Sequence, residues 1–158
     1  MIRTALETET EELVRIAEGT KVFKPLELEA LRELLGDFHA GNCGLGHAAA
    51  ASFELDGRPA GFTYFAPTPM TAGTWHMYWI FVAKGIQARG IGTQLLRHVE
   101  AEVTGAGGRL LLIETSGLPT YELTRQFYVK HGYEQTGIIR DFYSDGDDQV
   151  IFRKRLRN

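Results

Sequence analysis

The chain has 158 residues, with 17 Lys and Arg against 20 Asp and Glu for a formal charge of −3, and its 44% hydrophobic and 23% charged residues suit one globular domain over residues 1–158 rather than disorder or a repeat array. Its longest uninterrupted apolar run, 77–83, is far short of the roughly 18 residues of a membrane span, and Met1-Ile2-Arg3 leads into Glu7, Glu9, Glu11 and Glu12 rather than an apolar leader. The single cysteine, Cys43, excludes an intrachain disulfide and a thiolate zinc site built from this chain alone, so the expectation is a cytoplasmic protein without a membrane or nucleic-acid partner; Arg153-Lys154-Arg155 reads as the solvated end of a strand.

In chain order, residues 1–5 can open as a short strand. Thr8 or Thr10 then offers an N-cap for a helix that carries Leu13, Val14, Ile16 and Ala17 and ends at Gly19. Pro25 starts a second helix through Leu28, Leu31, Leu34 and Leu35, with Gly36 as its expected C-cap. Residues 41–46 form a flexible or tightly turned loop. Asp56-Gly57 separates two β-rich runs and predicts a hairpin, and Trp75 to Val82 has the aromatic and β-branched content of a strand. Ile91, Leu95, Leu96 and Val99 recur at helical spacing. Residues 105–108 stop that helix, 110–113 read as a buried strand, 121–131 as a helix stopped by Gly132, and 133–143 with 149–156 as a closing hairpin. The sum is a mixed α/β domain with a mostly antiparallel sheet and about four helices.

Between the strand ending at Val82 and the helix beginning near Ile91 lies Gln87-Ala88-Arg89-Gly90-Ile91-Gly92-Thr93. Exposed amides and the dipole at a helix start attract a phosphate, glycines let the backbone approach it, and Arg89 adds a formal charge. Gly85 and Gly90 have Walker-type separation, yet Ile91-Gly92 stands where Lys-[Ser/Thr] would hold phosphates and Mg²⁺. The Rossmann pattern fails as well, because Leu95 occupies the third glycine's place. The remaining Q-x-x-G-x-G resembles the acetyl-CoA pyrophosphate loop of the GNAT acetyltransferase superfamily. Thr124-Arg125-Gln126-Phe127-Tyr128-Val129-Lys130-His131-Gly132-Tyr133-Glu134 resembles that family's second signature, in the family's order and separation.

The resemblance spans about residues 2–156. It implies a sheet whose fourth and fifth strands splay apart, with Phe81 and Val82 pairing with the pantetheine arm and Gln87 to Thr93 holding the pyrophosphate of acetyl-CoA. It implies an acetyl-CoA-dependent N-acetyltransferase that moves the acetyl group to a primary amine of a small molecule or peptide by direct transfer in a ternary complex. The competing reading is a CoA-binding regulatory or interaction domain without turnover. Many relatives carry an Asn and an Ala before the tyrosine where this chain has Thr120 or Tyr121 and Thr124, which leaves the side-chain contacts to the far end of CoA open.

Amide formation needs a neutral amine, and an ammonium near pKa ~10.4 has no lone pair at neutral pH. A base is therefore required. Strand alternation puts His76, Tyr78, Ile80 and Val82 on one face and Trp75, Met77, Trp79 and Phe81 on the other. His76 stands where several relatives carry a Glu base; Glu114, on the next strand, is the second candidate. Tyr128 matches the family's general acid, against a packing role on an amphipathic helix, and the amide of Val82 matches the oxyanion donor. No metal is expected, because His39, His47, His98 and His131 lack ligand spacing and Asp145-Gly146-Asp147-Asp148 lacks the calcium-loop pattern. That acidic hairpin and Asp141 could attract a cationic acceptor, whereas Arg125 or Arg140 would suit an acceptor's carboxylate. The resemblance makes a homodimer a reasonable assembly.

Overall fold

Period-2 and period-3.6 patterns alternate along the chain, and the computed structural model, which describes residues 1–157, folds them into seven strands and four helices. The elements are β1 (Ile2–Thr4), α1 (Thr10–Gly19), α2 (Pro25–Ala40), β2 (Ala48–Phe53), β3 (Pro59–Pro67), β4 (Thr74–Val82), α3 (Ile91–Gly105), β5 (Leu110–Ser116), α4 (Glu122–Lys130), β6 (Glu134–Ser144) and β7 (Asp147–Arg155). The sheet order is β1-β2-β3-β4-β5-β7-β6. Only β4 and β5 run parallel, joined by the α3 crossover; the other neighbours are antiparallel.

Each face of the sheet has its own apolar layer. Leu13, Ala17, Leu31, Leu35 and Phe38 of α1 and α2 pack on Phe62, Tyr64 and Phe81. On the opposite face, Leu96, Val99 and Val103 of α3 and Tyr128 of α4 pack on Met77, Leu111, Ile113 and Phe152. No residue of β5, β6 or β7 belongs to the first layer. On the α1/α2 side those three strands therefore form an open platform.

Backbone pairing between β4 and β5 runs only from Thr74↔Leu110 to Met77↔Ile113. Beyond that point 78–82 and 114–116 diverge, which is the expected splay. The α3 layer lies directly on the ribbon at Gly61, where a Cβ would stand 2.9 Å from Leu95 Cδ1 and 3.0 Å from the Phe81 carbonyl oxygen. Glu100 of α3 is buried, and it accepts hydrogen bonds from Tyr133 Oη, Lys154 Nζ and Arg97 Nη1, each at 2.8 Å. Burial opposes its ionisation, but these donors outweigh it and hold the carboxyl below its ordinary range.

Three local expectations are corrected. The second helix does not stop at Gly36 but continues to Ala40, because Phe38 extends the buried stripe of Leu31 and Leu35. The first helix takes Glu9, not a threonine, as its N-cap residue; the Glu9 carboxylate accepts from the Leu6 amide at 2.7 Å and pairs with Arg3. The alternation of β4 is also broken. Tyr64 pairs with Trp79 and Phe65 with Met77, so Tyr78 is the extra residue of a bulge. Trp79 and Phe81 face α1 and α2, whereas Met77 and Trp75 face α3. His76, opposite Ala66, therefore shares the α1/α2 face with Trp79 and Phe81, not the face of Ile80.

Candidate active site

On the α3 side, β4 leads into a 3-10 turn at Gln87–Arg89 and then into Gly90, whose φ of 77° lies in the left-handed region that glycine adopts without a Cβ penalty. The first bond entering α3 runs from the Gln94 amide to the Gly90 carbonyl at 3.0 Å. The amides of Ile91, Gly92 and Thr93 precede it and are left for an external acceptor. These residues fit a pyrophosphate through backbone N–H groups. Ala88 belongs to the turn, and Arg89 Nη1 meets Glu54 Oε1 at 3.0 Å, so its charge is shared with the β2–β3 hairpin.

A Cβ at Gly92 would lie 3.6 Å from the Phe127 ring and 3.7 Å from Val82 Cγ2, so helix start, β4 end and α4 converge here. Sequence reasoning set His131 aside. Its Nδ1 lies 2.8 Å from the Phe127 carbonyl oxygen and its Nε2 3.1 Å from Thr93 Oγ1. The carbonyl can only accept, so Nδ1–H donates to it, and Nε2 of the neutral ring accepts from the Thr93 hydroxyl. The one local sign of this was the four-residue spacing from Phe127.

Tyr128 is 3% exposed and packs against Tyr133 and Phe152. Burial pushes its pKa up, so the phenol stays protonated across the working pH range. Its hydroxyl makes no hydrogen bond among the described residues. Nor is it one of the fully enclosed unpartnered polar atoms, which are His39 Nε2 and Thr63 Oγ1. The group is thus a wall of the core with a free phenolic tip, which joins the two readings of it.

On the opposite face the bulge brings His76 to Glu114. His76 Nε2 lies 3.2 Å from Glu114 Oε1, His76 Nδ1 lies 2.7 Å from Thr68 Oγ1, and Gln149 Nε2 donates to Glu114 Oε2 at 3.0 Å. The ionised carboxylate accepts only, so the neutral imidazole donates from Nε2 and takes the Thr68 hydroxyl hydrogen at Nδ1. Both ring nitrogens are occupied. Glu114 keeps spare lone pairs and 35% side-chain exposure, against 17% for His76. The two candidate bases are thus one hydrogen-bonded unit, and Tyr78 stacks on the imidazole at 5.5 Å.

The acidic hairpin divides by role. Asp141 accepts from the Gly146 amide and Asp148 from the Asp141 amide, so both close the turn. Asp147 is 5% exposed and accepts from the Ser116 hydroxyl. Arg125, considered for an acceptor's carboxylate, donates to the Ser116 and Leu118 carbonyls and ties the β5–α4 connection instead. Among the described residues, no three His, Cys, Asp or Glu side chains are grouped to hold a metal ion, and no helix is long and apolar enough to cross a membrane.

Comparison with known proteins agrees with this geometry. A family model described as an acetyltransferase (GNAT) domain matches residues 47–135. An uncharacterized N-acetyltransferase of Methanocaldococcus jannaschii is 29% identical over 108 residues, which cover 66% of this chain and 65% of that protein. The crystal structure of a protein assigned to the GNAT acetyltransferases from Desulfovibrio desulfuricans is 35% identical, with 99% of both chains covered and a TM-score of 0.92. An aminoglycoside 6'-N-acetyltransferase complexed with coenzyme A shares the fold, with a TM-score of 0.78 at 17% identity over 100% of this chain and 98% of that one. The Escherichia coli ribosomal-protein-S18-alanine N-acetyltransferase does so at 0.78 and 18%, over 100% and 94%.

Proposed function

This chain belongs to the GNAT acetyltransferase family, and from that premise we propose that it transfers an acetyl group from acetyl-CoA to a primary amine within a ternary complex, with Glu114 as the base and Tyr128 as the acid. The observation that carries this reading is the His76–Glu114–Gln149 unit at the mouth of the splay, with the Gly90 loop on the other face of the sheet. A fold neighbour complexed with coenzyme A supports the choice of cosubstrate.

The amides of Ile91, Gly92 and Thr93, with the turn at Gln87–Arg89, would hold the pyrophosphate, and the unpaired edge at Phe81 and Val82 would align the arm that follows it. Acetyl-CoA supplies a thioester whose C–S bond breaks as the acceptor's C–N bond forms. Glu114 takes the proton that the acceptor's ammonium must lose, and His76 and Gln149 hold its carboxylate in place. Tyr128 Oη donates a proton to the departing thiolate and is reprotonated by the second N–H proton that the nitrogen loses as the amide forms, and the Val82 amide donates a hydrogen bond to the carbonyl oxygen. Acid and base stand on opposite faces, so the two substrates meet through the splay. Positioned acid–base groups of this kind typically contribute ~10²–10⁴-fold.

The test is release of CoA thiol on incubation with acetyl-CoA and a panel of diamines, amino acids, aminoglycosides and peptide N-termini. Turnover with at least one acceptor is expected. Tight CoA binding with silence across the panel would favour the non-catalytic domain. Neighbours of one fold are named for an aminoglycoside and for a ribosomal-protein alanine, so the acceptor class must come from this chain's own side chains.

A further inference from the structure

Thr93, the last residue of the glycine loop, is joined to a side chain of α4: its Oγ1 lies 3.1 Å from His131 Nε2. Cα–Cβ bonds tilt towards a helix's N-terminus, so this hydroxyl stands at the same end of α3 as the amides of Ile91, Gly92 and Thr93. His131 is 9% exposed, and its Nδ1 is fixed by the Phe127 carbonyl oxygen at 2.8 Å. A carbonyl only accepts, so Nδ1 carries the hydrogen and Nε2 of the neutral ring carries none. The Thr93 hydroxyl must therefore point its hydrogen at Nε2. While it does so, its oxygen offers only lone pairs to an anion docked on the loop, and lone pairs repel phosphate oxygens.

One added proton reverses this bond. With a hydrogen on Nε2 the imidazolium donates to Thr93 Oγ1, and the hydroxyl hydrogen is released to donate to an anion. The surroundings of the ring suit its charged form. It caps the C-terminus of α4, where the helix dipole favours a cation, and the Phe127 ring centroid lies 4.4 Å from its own. The same phenyl ring would be 3.6 Å from a Cβ at Gly92, so imidazole, phenyl and loop are contiguous. The charged and titratable neighbours come from three elements and the turn after α4. Lys154 of β7 donates to the His131 carbonyl at 3.0 Å and to Glu100 Oε2 at 2.8 Å. Glu100 of α3 also pairs with Arg97 and accepts from Tyr133, and Lys130 of α4 is exposed. Glu100 thus answers two of these cations, and among the described residues no carboxylate is bonded to the ring. A pyrophosphate on the loop brings the counter-charge that an imidazolium there lacks.

We propose that His131 is a positioning residue for the coenzyme: pyrophosphate docking draws a proton from solvent onto Nε2, the imidazolium donates to Thr93 Oγ1, and the Thr93 hydroxyl donates to a phosphate oxygen. The inference rests on the reading of acetyl-CoA as cosubstrate and adds a proton to its binding. The complex holds more protons than its separate parts, so affinity rises as pH falls through the imidazole range and is lost as pH rises. Linkage is reciprocal, and bound coenzyme strengthens the ring's hold on its proton by the same factor. Neither the thioester nor the thiol takes part, so CoA and acetyl-CoA behave alike. The pH effect falls on the KM for acetyl-CoA, apart from that of Glu114 on the opposite face.

The test is calorimetric titration of CoA into the protein near neutral pH in phosphate and in Tris, whose different ionisation enthalpies report the protons taken up. Wild type should take up more protons than His131→Gln, and the comparison cancels those exchanged by the coenzyme's own phosphates. The Gln amide can still donate to Thr93, so His131→Gln should bind CoA with a Kd nearly flat in pH, whereas the wild-type Kd should rise by up to about tenfold per pH unit. Thr93→Val removes the hydroxyl at nearly constant shape and should abolish most of the uptake; full uptake there would show that phosphate charge alone protonates the ring and would overturn the hydroxyl switch. The imidazole Cε1–Hε1 NMR signals of isotope-labelled wild-type protein follow the ring directly, so a variant that fails to fold leaves the test intact. His131 should titrate at higher pH with CoA bound than without, and an unmoved midpoint overturns the proposal. If amines are acetylated but wild type and His131→Gln take up equal protons, the proposal falls and the transferase stands. If no amine is acetylated yet the excess uptake depends on His131 and Thr93, the transferase reading falls and the proposal stands.

Discussion

The two sides of the splay are built from different materials. The α3 side offers backbone: a left-handed glycine, a turn and three unpaired amides contributed by one contiguous stretch of chain. The open platform offers side chains drawn from β4, β5 and β7, with partners 38, 35 and 31 residues apart in sequence. A backbone cradle is indifferent to most side-chain substitutions, whereas a side-chain constellation changes with each one. On the proposed reading, the first design would suit a common cosubstrate, and the second would let the acceptor vary.

Substitutions on each side should separate these roles, and Glu114→Gln has the largest expected effect. It should lower kcat/KM by roughly 10²–10⁴ near neutral pH, with acetyl-CoA affinity retained by equilibrium dialysis. The deficit should shrink as pH approaches the amine's own pKa, and a constant deficit would remove Glu114 as the base. Tyr128→Phe should slow kcat by about tenfold or more through loss of the acid, while thermal unfolding stays close to wild type because the ring still fills the core. Wild-type turnover there would leave Tyr128 as packing alone.

Gly90→Ala probes the backbone side. A Cβ meets no atom within 4 Å there, so only the left-handed φ is strained, at a cost of about 1–2 kcal/mol. Weaker acetyl-CoA binding with an unchanged preference among acceptors would match the division of labour; a changed preference would break it. Glu100→Gln touches neither side. The folded carboxyl lies below its ordinary range, so its stabilising contribution is complete above the unfolded value near 4.3 and fades as pH falls below it. The wild-type protein should lose Tm on acidification through that window more steeply than the variant. Arg89→Ala should matter least, since its exposed pair with Glu54 contributes about 0–1 kcal/mol; a large loss of CoA affinity would show that the guanidinium leaves Glu54 for the phosphates.

The same contrast explains what could be read from the sequence. The Gln87–Thr93 loop, the Asp56-Gly57 turn and the order of strands and helices were legible because each depends on neighbours in the chain. Gly36 misled because a helix end depends on what the next turn buries, and Phe38 is anchored by a core that local spacing does not reveal. The pairing of His76 with Glu114 was illegible for another reason. Two residues were ranked as rivals since nothing local indicates that β4 contains an extra residue. Asp147 was one of four equivalent aspartates in the sequence; only the hydrogen bond it accepts from Ser116, whose strand partner is Gln149, sets it apart.

The bulge at Tyr78 acts as a phase shift in a period-two signal. Residues 74–77 and 79–82 of β4 are written in opposite phase, so odd-numbered side chains face α3 before the bulge and α1/α2 after it. Deleting Tyr78 would leave a regular ladder with His76 on its present face, whereas pairing β4 regularly with Tyr78 retained would carry His76 through the sheet to the α3 side, away from Glu114. In that slipped ladder no residue would be exchanged and every side chain would be intact, yet the parity of one strand would have moved the imidazole to the other side of the sheet.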